Sequence, residues 1–160
     1  MNKDFSFMCE MQAEFFSLAN ERFKCSSSFL IAKFMNSEIA KDLDNIDDAY
    51  NFVSPNNLVY KMSYEYPSLK KEGKNKYPNQ VIYWIGYAYR AWCLLSKRNS
   101  YKIYKIIGAD EMASLYNAFH TFSIEYCVER FEEIAVERNG APKTDYQIFK
   151  EVMQERRLIK

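Results

Sequence analysis

The segment from Tyr77 to Ser96, YPNQVIYWIGYAYRAWCLLS, is the most apolar and most aromatic stretch of the chain. Its apolar residues recur every three or four positions, at Val81, Ile85, Ala88, Trp92 and Leu95. That spacing is typical of one face of a helix. The other faces are hardly polar, and a helix that is apolar all round is normally buried on most sides. We therefore predict a central aromatic helix over about residues 78–96, enclosed by the rest of the chain.

The composition favours helices outside this segment as well. The 160 residues include 4 Gly and 4 Pro, which is too few for a turn-rich sandwich or barrel, and 48% of them are hydrophobic, which excludes general disorder. Helical spacing recurs along the chain and predicts about eight helices, although residues 53–60 and 102–107 leave open a short strand each. We predict an all-α protein with a single helical domain over residues 1–160, built as an orthogonal multi-helix bundle. Residues 141–160 are predicted to form a C-terminal helix with a frayed end.

Few groups in the sequence are suited to catalysis or to metal binding. The 4 cysteines are scattered and share no short spacing with one another or with His120, the single histidine, so no zinc motif is present. The chain also lacks a glycine-rich phosphate loop and a nucleophile elbow. We therefore predict a non-enzymatic protein with no catalytic residues, no cofactor and no metal site.

The sequence also indicates where the protein acts. Charged residues interrupt the first 15 positions, so no cleavable signal is predicted. The longest apolar run, over residues 81–95, contains Arg90 and is shorter than the roughly 20 residues that span a bilayer. We expect a cytoplasmic protein without a membrane partner.

The net charge of +1 conceals a basic middle segment between two acidic flanks. Residues 55–105 contain ten basic and two acidic side chains. Such a block either pairs with the acidic flanks inside the fold or faces a negatively charged partner. The candidate contacts for nucleic acid or another anion are Lys70, Lys71, Lys74, Lys76, Lys97, Arg98 and Lys102. Residues 70–76 are predicted to form an exposed, mobile loop.

Aromatic side chains concentrate in the same middle segment, where eight of the 13 tyrosines fall between residues 60 and 101. Tyr, Trp and Arg dominate the energetic hot spots of interfaces, but an aromatic core with lysines packed around it is an equal alternative. Arg90 lies among these aromatics, where burial without a partner would be costly. It therefore either pairs internally, with Asp110, Glu111 or a glutamate of residues 125–133, or holds an anion of a partner.

Short motifs within residues 80–122 carry a resemblance to a known group of proteins. Trp84, Gly86, Tyr87, Tyr89, Arg90 and Trp92 are followed by IYK at 103–105 and YNAFHT at 116–121. In these motifs the chain resembles a group of small bacterial proteins encoded beside predicted ADP-ribosyltransferase-like toxins. The resemblance implies a cytosolic, non-catalytic, antitoxin-like partner of a toxin. It also implies a role for the matching positions Trp84, Tyr89, Arg90, Tyr116 and His120.

We therefore expect a protein-binding module of the antitoxin or inhibitor kind, which neutralises a partner protein by covering its surface. Its predicted partner-binding residues are Tyr83, Trp84, Tyr87, Tyr89, Arg90, Lys105, Tyr116 and His120. Two alternatives remain. The first is a phage or mobile-element inhibitor of the anti-CRISPR type, acting on a nucleic-acid-guided effector, and the second is a direct nucleic-acid binder that uses the basic middle segment. The sequence leaves the oligomeric state open, including a homo-oligomer.

Overall fold

A computed structural model of the chain describes residues 3–45, 54–140 and 145–158. Their α-helices are α1 (Lys3–Arg22), α2 (Ser27–Met35), α3 (Glu38–Asp44), α4 (Pro55–Glu65), α5 (Asn79–Ser96), α6 (Ser100–Ile106), α7 (Ala109–Phe119), α8 (Ile124–Asn139) and α9 (Asp145–Leu158), with a short 3-10 helix at Pro67–Lys70. No strand occurs in these ranges, so the predicted all-α bundle is confirmed. Residues 53–60 and 102–107, where the sequence also allows a short strand, lie largely in α4 and α6. Residue 53 falls outside the described residues.

The predicted central helix is confirmed as α5. It packs along α1 over much of its length and also contacts α6, α7 and α8. Gly86 permits the close approach to α1, because an added Cβ there would lie 2.9 Å from the Cα of Ala13. The helix that covers most of α5 is thus α1, which is longer than α5. Pro78 occupies the N-cap position of α5.

Serine side chains fix where several of the surrounding helices begin. Each of these serines precedes its helix and accepts a hydrogen bond from a backbone N–H three residues later, which satisfies a group that has no partner within the helix. They are Ser26 before α2, Ser37 before α3, Ser54 before α4 and Ser123 before α8. The starts of these helices are therefore determined locally by the sequence.

One hydrophobic core runs through the bundle, from Met8 in α1 to Ala135 in α8. The described residues of α9 do not belong to it, and Tyr146 and Phe149 of that helix are 69% and 62% exposed. The predicted frayed end is ERRLIK, residues 155–160. Its first four residues belong to α9, which extends to Leu158, and residues 159–160 fall outside the described residues. None of the helices in the described ranges combines the length and the hydropathy that crossing a bilayer requires.

Candidate partner-binding surface

Arg90 is fully buried at the centre of a polar network that joins four helices. Its Nε donates to Oε1 of Gln12 at 2.8 Å, and its Nη1 donates to Oδ1 of Asp44 at 2.8 Å. Asp44 also accepts hydrogen bonds from the hydroxyl and the backbone N–H of Ser100, at 2.7 and 2.9 Å. The guanidinium is therefore paired and hydrogen-bonded within the fold, as a buried charge requires. It has no free surface for a partner, and the prediction of Arg90 as a partner contact is wrong.

The acid that pairs with Arg90 is Asp44, at the end of α3, and none of the acids predicted for this role. Three of those acids are engaged elsewhere. Asp110 accepts a hydrogen bond from the Tyr77 hydroxyl, and Glu111 forms a two-point ion pair with Arg138. Glu132, on the predicted glutamate helix, holds Arg98 at 2.8 and 3.0 Å and the Trp92 indole N–H at 2.7 Å.

Tyr89 is also buried, contrary to its prediction as a partner contact. Its hydroxyl donates to the backbone carbonyl oxygen of Ile107 at 2.7 Å. Burial raises the pKa of this hydroxyl well above its ordinary value, so the group is a neutral donor. Tyr89 therefore ties α5 to the end of α6.

Three other predicted residues form an aromatic stack that runs from the half-buried α5 surface to solvent. The ring centroids of Trp84 and Tyr116 lie 5.9 Å apart, edge to face. Tyr116 and the exposed ring of His120 are stacked at 4.2 Å. The structure thus brings Trp84, Tyr116 and His120 together, at the junction of α5 with the end of α7.

Tyr83 and Tyr87 lie one turn apart on α5, at the edge of its contact with α1. Tyr83 is 37% exposed and Tyr87 is half-buried. Partial burial raises the pKa of Tyr83, and the nearby carboxylates of Glu10 and Glu14 raise it further. We call the surface formed by Tyr83, Tyr87, Glu10 and Glu14 the tyrosine face. It combines apolar area, hydroxyl groups and negative charge.

The predicted cationic residues divide into two groups. Lys70, Lys71, Lys74, Lys97 and Lys102 are exposed, without an acidic partner among the described residues. Arg98 pairs with Glu132, and the Lys76 ammonium donates to the carbonyl oxygens of Asn20 and Phe23 at 2.8 and 2.6 Å. Lys76 thus caps the end of α1, so its ammonium group is already hydrogen-bonded within the fold.

The loop over residues 70–76 is exposed, as predicted, but it is also bonded to the ends of two helices. The Gly73 N–H donates to the Lys24 carbonyl oxygen at 3.0 Å, and the Ser27 N–H donates to that of Asn75 at 3.2 Å. A Cβ on Gly73 would lie 2.5 Å from the backbone nitrogen of Ser26. The loop therefore lies directly against the connection between α1 and α2.

Lys105 lies on α6 beside an exposed aromatic ring that was not singled out in the sequence. The ammonium groups of Lys105 and Lys102 lie 5.4 and 6.0 Å from the centroid of the Tyr101 ring, and Tyr101 is 42% exposed. Alternating Tyr and Lys in YKIYK is the sequence signal for this cluster. An aromatic ring flanked by two ammonium groups is suited to a nucleotide, whose base can stack on the ring and whose phosphate can pair with an ammonium group.

A groove along α8 was also missed. It encloses about 720 Å³ and is lined by Leu95, Val128 and Val136 together with Glu125, Glu129, Arg130, Glu132 and Glu133. The spacing of Val128 and Val136 among glutamates indicates an apolar strip in an acidic surface. The floor residue Leu95 comes from α5, so the sequence of α8 alone does not reveal the groove. We call it the α8 groove.

The described residues offer little for covalent or metal chemistry. Burial raises the pKa of the Cys9 thiol to about 12, and it also raises the pKa of Cys25, Cys93 and Cys127. These groups are therefore protonated thiols at neutral pH, whereas a nucleophilic cysteine needs a lowered pKa. Within the described ranges, no three side chains of His, Cys, Asp or Glu converge as metal ligands.

Comparison of the chain with protein-family models, with curated proteins and with solved structures found no match.

Proposed function

We propose that this protein is a non-catalytic binding module, antitoxin- or inhibitor-like, that docks on a partner protein through the tyrosine face and neutralises it. The observation that carries the proposal is the position of Tyr83 and Tyr87. The central helix, most of whose middle residues are buried, presents them one turn apart at the surface. Tyrosines on a helix that is packed against another helix lose little side-chain freedom on binding, which favours affinity.

The charge around the tyrosine face favours a cationic partner surface. Glu10 and Glu14 lie close enough to Tyr83 to raise its pKa, so their field reaches the phenol groups. Complementary charge steers a partner into one orientation and speeds association. The resemblance of residues 80–122 to antitoxin-like proteins supports the same role. Three of its matching positions, Trp84, Tyr116 and His120, form the aromatic stack, and Trp84 lies on the same helix as the tyrosine face.

The test is a comparison of two double variants in affinity capture from the native host, followed by calorimetry with the purified partner. Tyr83→Ala with Tyr87→Ala should abolish capture and weaken binding by about 2 kcal/mol or more, as for hot-spot residues. Tyr60→Ala with Tyr64→Ala is the matched control, because these tyrosines are 72% and 79% exposed on α4. Equal binding by both variants, or capture of no protein by the wild type, would contradict the proposal. The captured protein distinguishes a toxin from a nucleic-acid-guided effector.

A second candidate function is direct binding of single-stranded nucleic acid, and the Tyr101 cluster favours it. A nucleotide whose base stacks on Tyr101 would place its phosphate groups near Lys102 and Lys105. Fluorescence anisotropy with a labelled oligonucleotide tests this candidate. Affinity should fall steeply with salt and drop on Tyr101→Ala, whereas affinity that is independent of salt would exclude a contact with phosphates.

A further inference from the structure

The α8 groove has an apolar floor and two acidic groups that the fold leaves without a close cation. Leu95 and Val136 are 45% and 41% exposed in it. On its rim, Glu132 is held by Arg98 and Glu133 by Arg130, both at 2.8 Å. Glu125 has no cationic partner among the described residues, and Glu129 reaches Arg130 only at 3.9 Å. An occupant should therefore be apolar along its length and basic where it meets Glu125 and Glu129.

The C-terminal helix α9 of the same chain has the complementary surface. Tyr146, Phe149 and Met153 follow helical spacing and therefore share one face. All three are exposed, and so is Val152 beside them. Arg156 and Arg157, three and four positions after Met153, extend the same face and are also exposed. The helix thus presents an apolar stripe that ends in two guanidinium groups.

The two surfaces match in length when the helices run antiparallel. At a rise of 1.5 Å per residue, Val136 and Val128 are about 12 Å apart along α8, and Tyr146 and Met153 are about 10 Å apart along α9. With Tyr146 beside Val136, the arginines fall beside Glu125 and Glu129. A parallel arrangement, with Tyr146 beside Val128, would bring the arginines beside residues 138–139, where Arg138 carries the same charge.

A second copy of the chain can supply the occupant, because α9 does not fill the groove of its own copy. Leu95 and Val136 remain 45% and 41% exposed in that groove, and Phe149 of α9 is 62% exposed. Both complementary surfaces are exposed on the same molecule. Two copies can therefore exchange their C-terminal helices about a twofold axis. Each groove is then filled by the helix of the other copy, and no unpaired interface remains for a third copy.

We propose that the protein forms a twofold homodimer in which α9 of each copy lies antiparallel in the α8 groove of the other. Apolar contact between Phe149, Met153, Leu95 and Val136 supplies affinity. The pairing of Arg156 and Arg157 with Glu125 and Glu129 fixes the direction of the helix. The groove shares no residue with the tyrosine face, although Glu125 lies near Tyr87, so the dimer does not depend on the partner proposed above.

Charge reversal on each side of the interface tests the proposal, with molar mass measured by light scattering and sedimentation. The wild type should be a dimer at micromolar concentration. The double variant Arg156→Glu with Arg157→Glu reverses the charge at the end of α9. The double variant Glu125→Lys with Glu129→Lys reverses the charge on the rim of the α8 groove. Each variant alone should be monomeric, with at least a 100-fold weaker dimer. An equimolar mixture should restore the dimer as a heterodimer, because both of its interfaces then join opposite charges.

Several outcomes would overturn the proposal. A wild type that is monomeric up to about 100 µM, including one whose α9 folds back on its own groove, excludes the dimer. A mixture that stays monomeric excludes pairing between these charges. Lys102→Glu with Lys105→Glu, a reversal of the same size on α6, is the matched control and should leave the dimer intact.

Two further variants separate loss of the interface from loss of the fold or of partner binding. Phe149→Asp changes a side chain that is 62% exposed, so it should dissociate the dimer without changing the circular dichroism spectrum. If it leaves the dimer intact, α9 is not at the interface. Tyr83→Ala with Tyr87→Ala should remain dimeric, so failure of the dimer and failure of the proposed function are measured independently.

Discussion

Arg90 shows how one charged side chain can organise several helices. Its guanidinium and the groups that hold it, Gln12, Asp44 and Ser100, come from α5, α1, α3 and α6. Gln12 also donates to the carbonyl oxygen of Gly86 at 3.0 Å, which adds a bond between α1 and α5. The network aligns these four helices because its members are satisfied only in one arrangement.

Replacement of Arg90 should therefore be severe. Arg90→Ala leaves the Asp44 carboxylate and the Gln12 amide without their partner in a buried site, and we expect a loss of about 3–5 kcal/mol in the free energy of unfolding. Urea unfolding followed by circular dichroism measures it. Arg22→Ala, at an exposed position on α1, is the control and should change stability by about 0.5 kcal/mol or less. A loss below about 1 kcal/mol for Arg90→Ala would mean that the network contributes little.

Glu132 makes stability dependent on pH. Burial raises its pKa, but the hydrogen bonds from Arg98 and Trp92 lower it by more, so the pKa lies below the ordinary value of 4.5. For a carboxyl with a lowered pKa, stabilisation is complete above the unfolded value and is lost as the pH falls through the folded value. Glu132→Gln should cost about 1 kcal/mol at pH 7 and less in acid. Unfolding free energies of both proteins between pH 7 and pH 3 test this, and parallel profiles would refute it.

At the scale of elements, the contact between α1 and α5 is decided by a residue without a side chain. Helix propensity alone makes glycine unfavourable inside a helix by about 1 kcal/mol relative to alanine. Gly86 is nonetheless needed in α5, because the backbone of α1 lies where a Cβ would be. Close approach of the two backbones also brings the Gln12 amide within hydrogen-bonding distance of α5.

Gly86→Ala should accordingly destabilise the protein, in spite of the gain in helix propensity. The added Cβ would lie 2.9 Å from the Ala13 Cα and 3.0 Å from the Gln12 carbonyl oxygen, and backbone atoms cannot move aside as a flexible side chain can. Overpacking of this kind costs about 1–3 kcal/mol. Gly108→Ala is the control, because its nearest contact would be 3.9 Å away and its φ is negative, and it should cost less than about 1 kcal/mol. A Gly86→Ala protein that is more stable than the wild type would show that the gain in helix propensity exceeds the steric cost of the added Cβ.

At the scale of the molecule, the cysteines report on the integrity of the whole bundle. Cys9, Cys25, Cys93 and Cys127 lie in α1, between α1 and α2, in α5 and in α8, and all four are buried and free. Cys9 and Cys93 are close enough for the charge of one to raise the pKa of the other, whereas Cys25 and Cys127 belong to other parts of the chain. Reaction of all four with an external reagent therefore requires several helices to separate.

We expect slow modification of all four thiols by a disulfide reagent at pH 7, with a common rate that rises in urea as the protein unfolds. Both burial and the raised pKa oppose reaction, since the thiolate is the reactive form. Mass spectrometry of partly modified protein distinguishes the outcomes. If only fully modified and fully unmodified molecules are present, the protein opens globally. Early modification of Cys25 alone would indicate that the loop over residues 70–76 opens first.

The sequence by itself determined the helical class, the extent of the central helix and the starts of α2, α3, α4 and α8. Apolar spacing and serine caps act over a few residues, so these features can be recognised without knowledge of the fold. The tertiary structure decided which acid meets Arg90, 46 residues away along the chain, and that Lys76 caps α1. It also decided that Tyr89 is buried while Tyr83, on the same helix, is exposed. Burial and ion pairing depend on which distant elements pack together, and the count of charges and aromatic rings in a sequence does not contain that information.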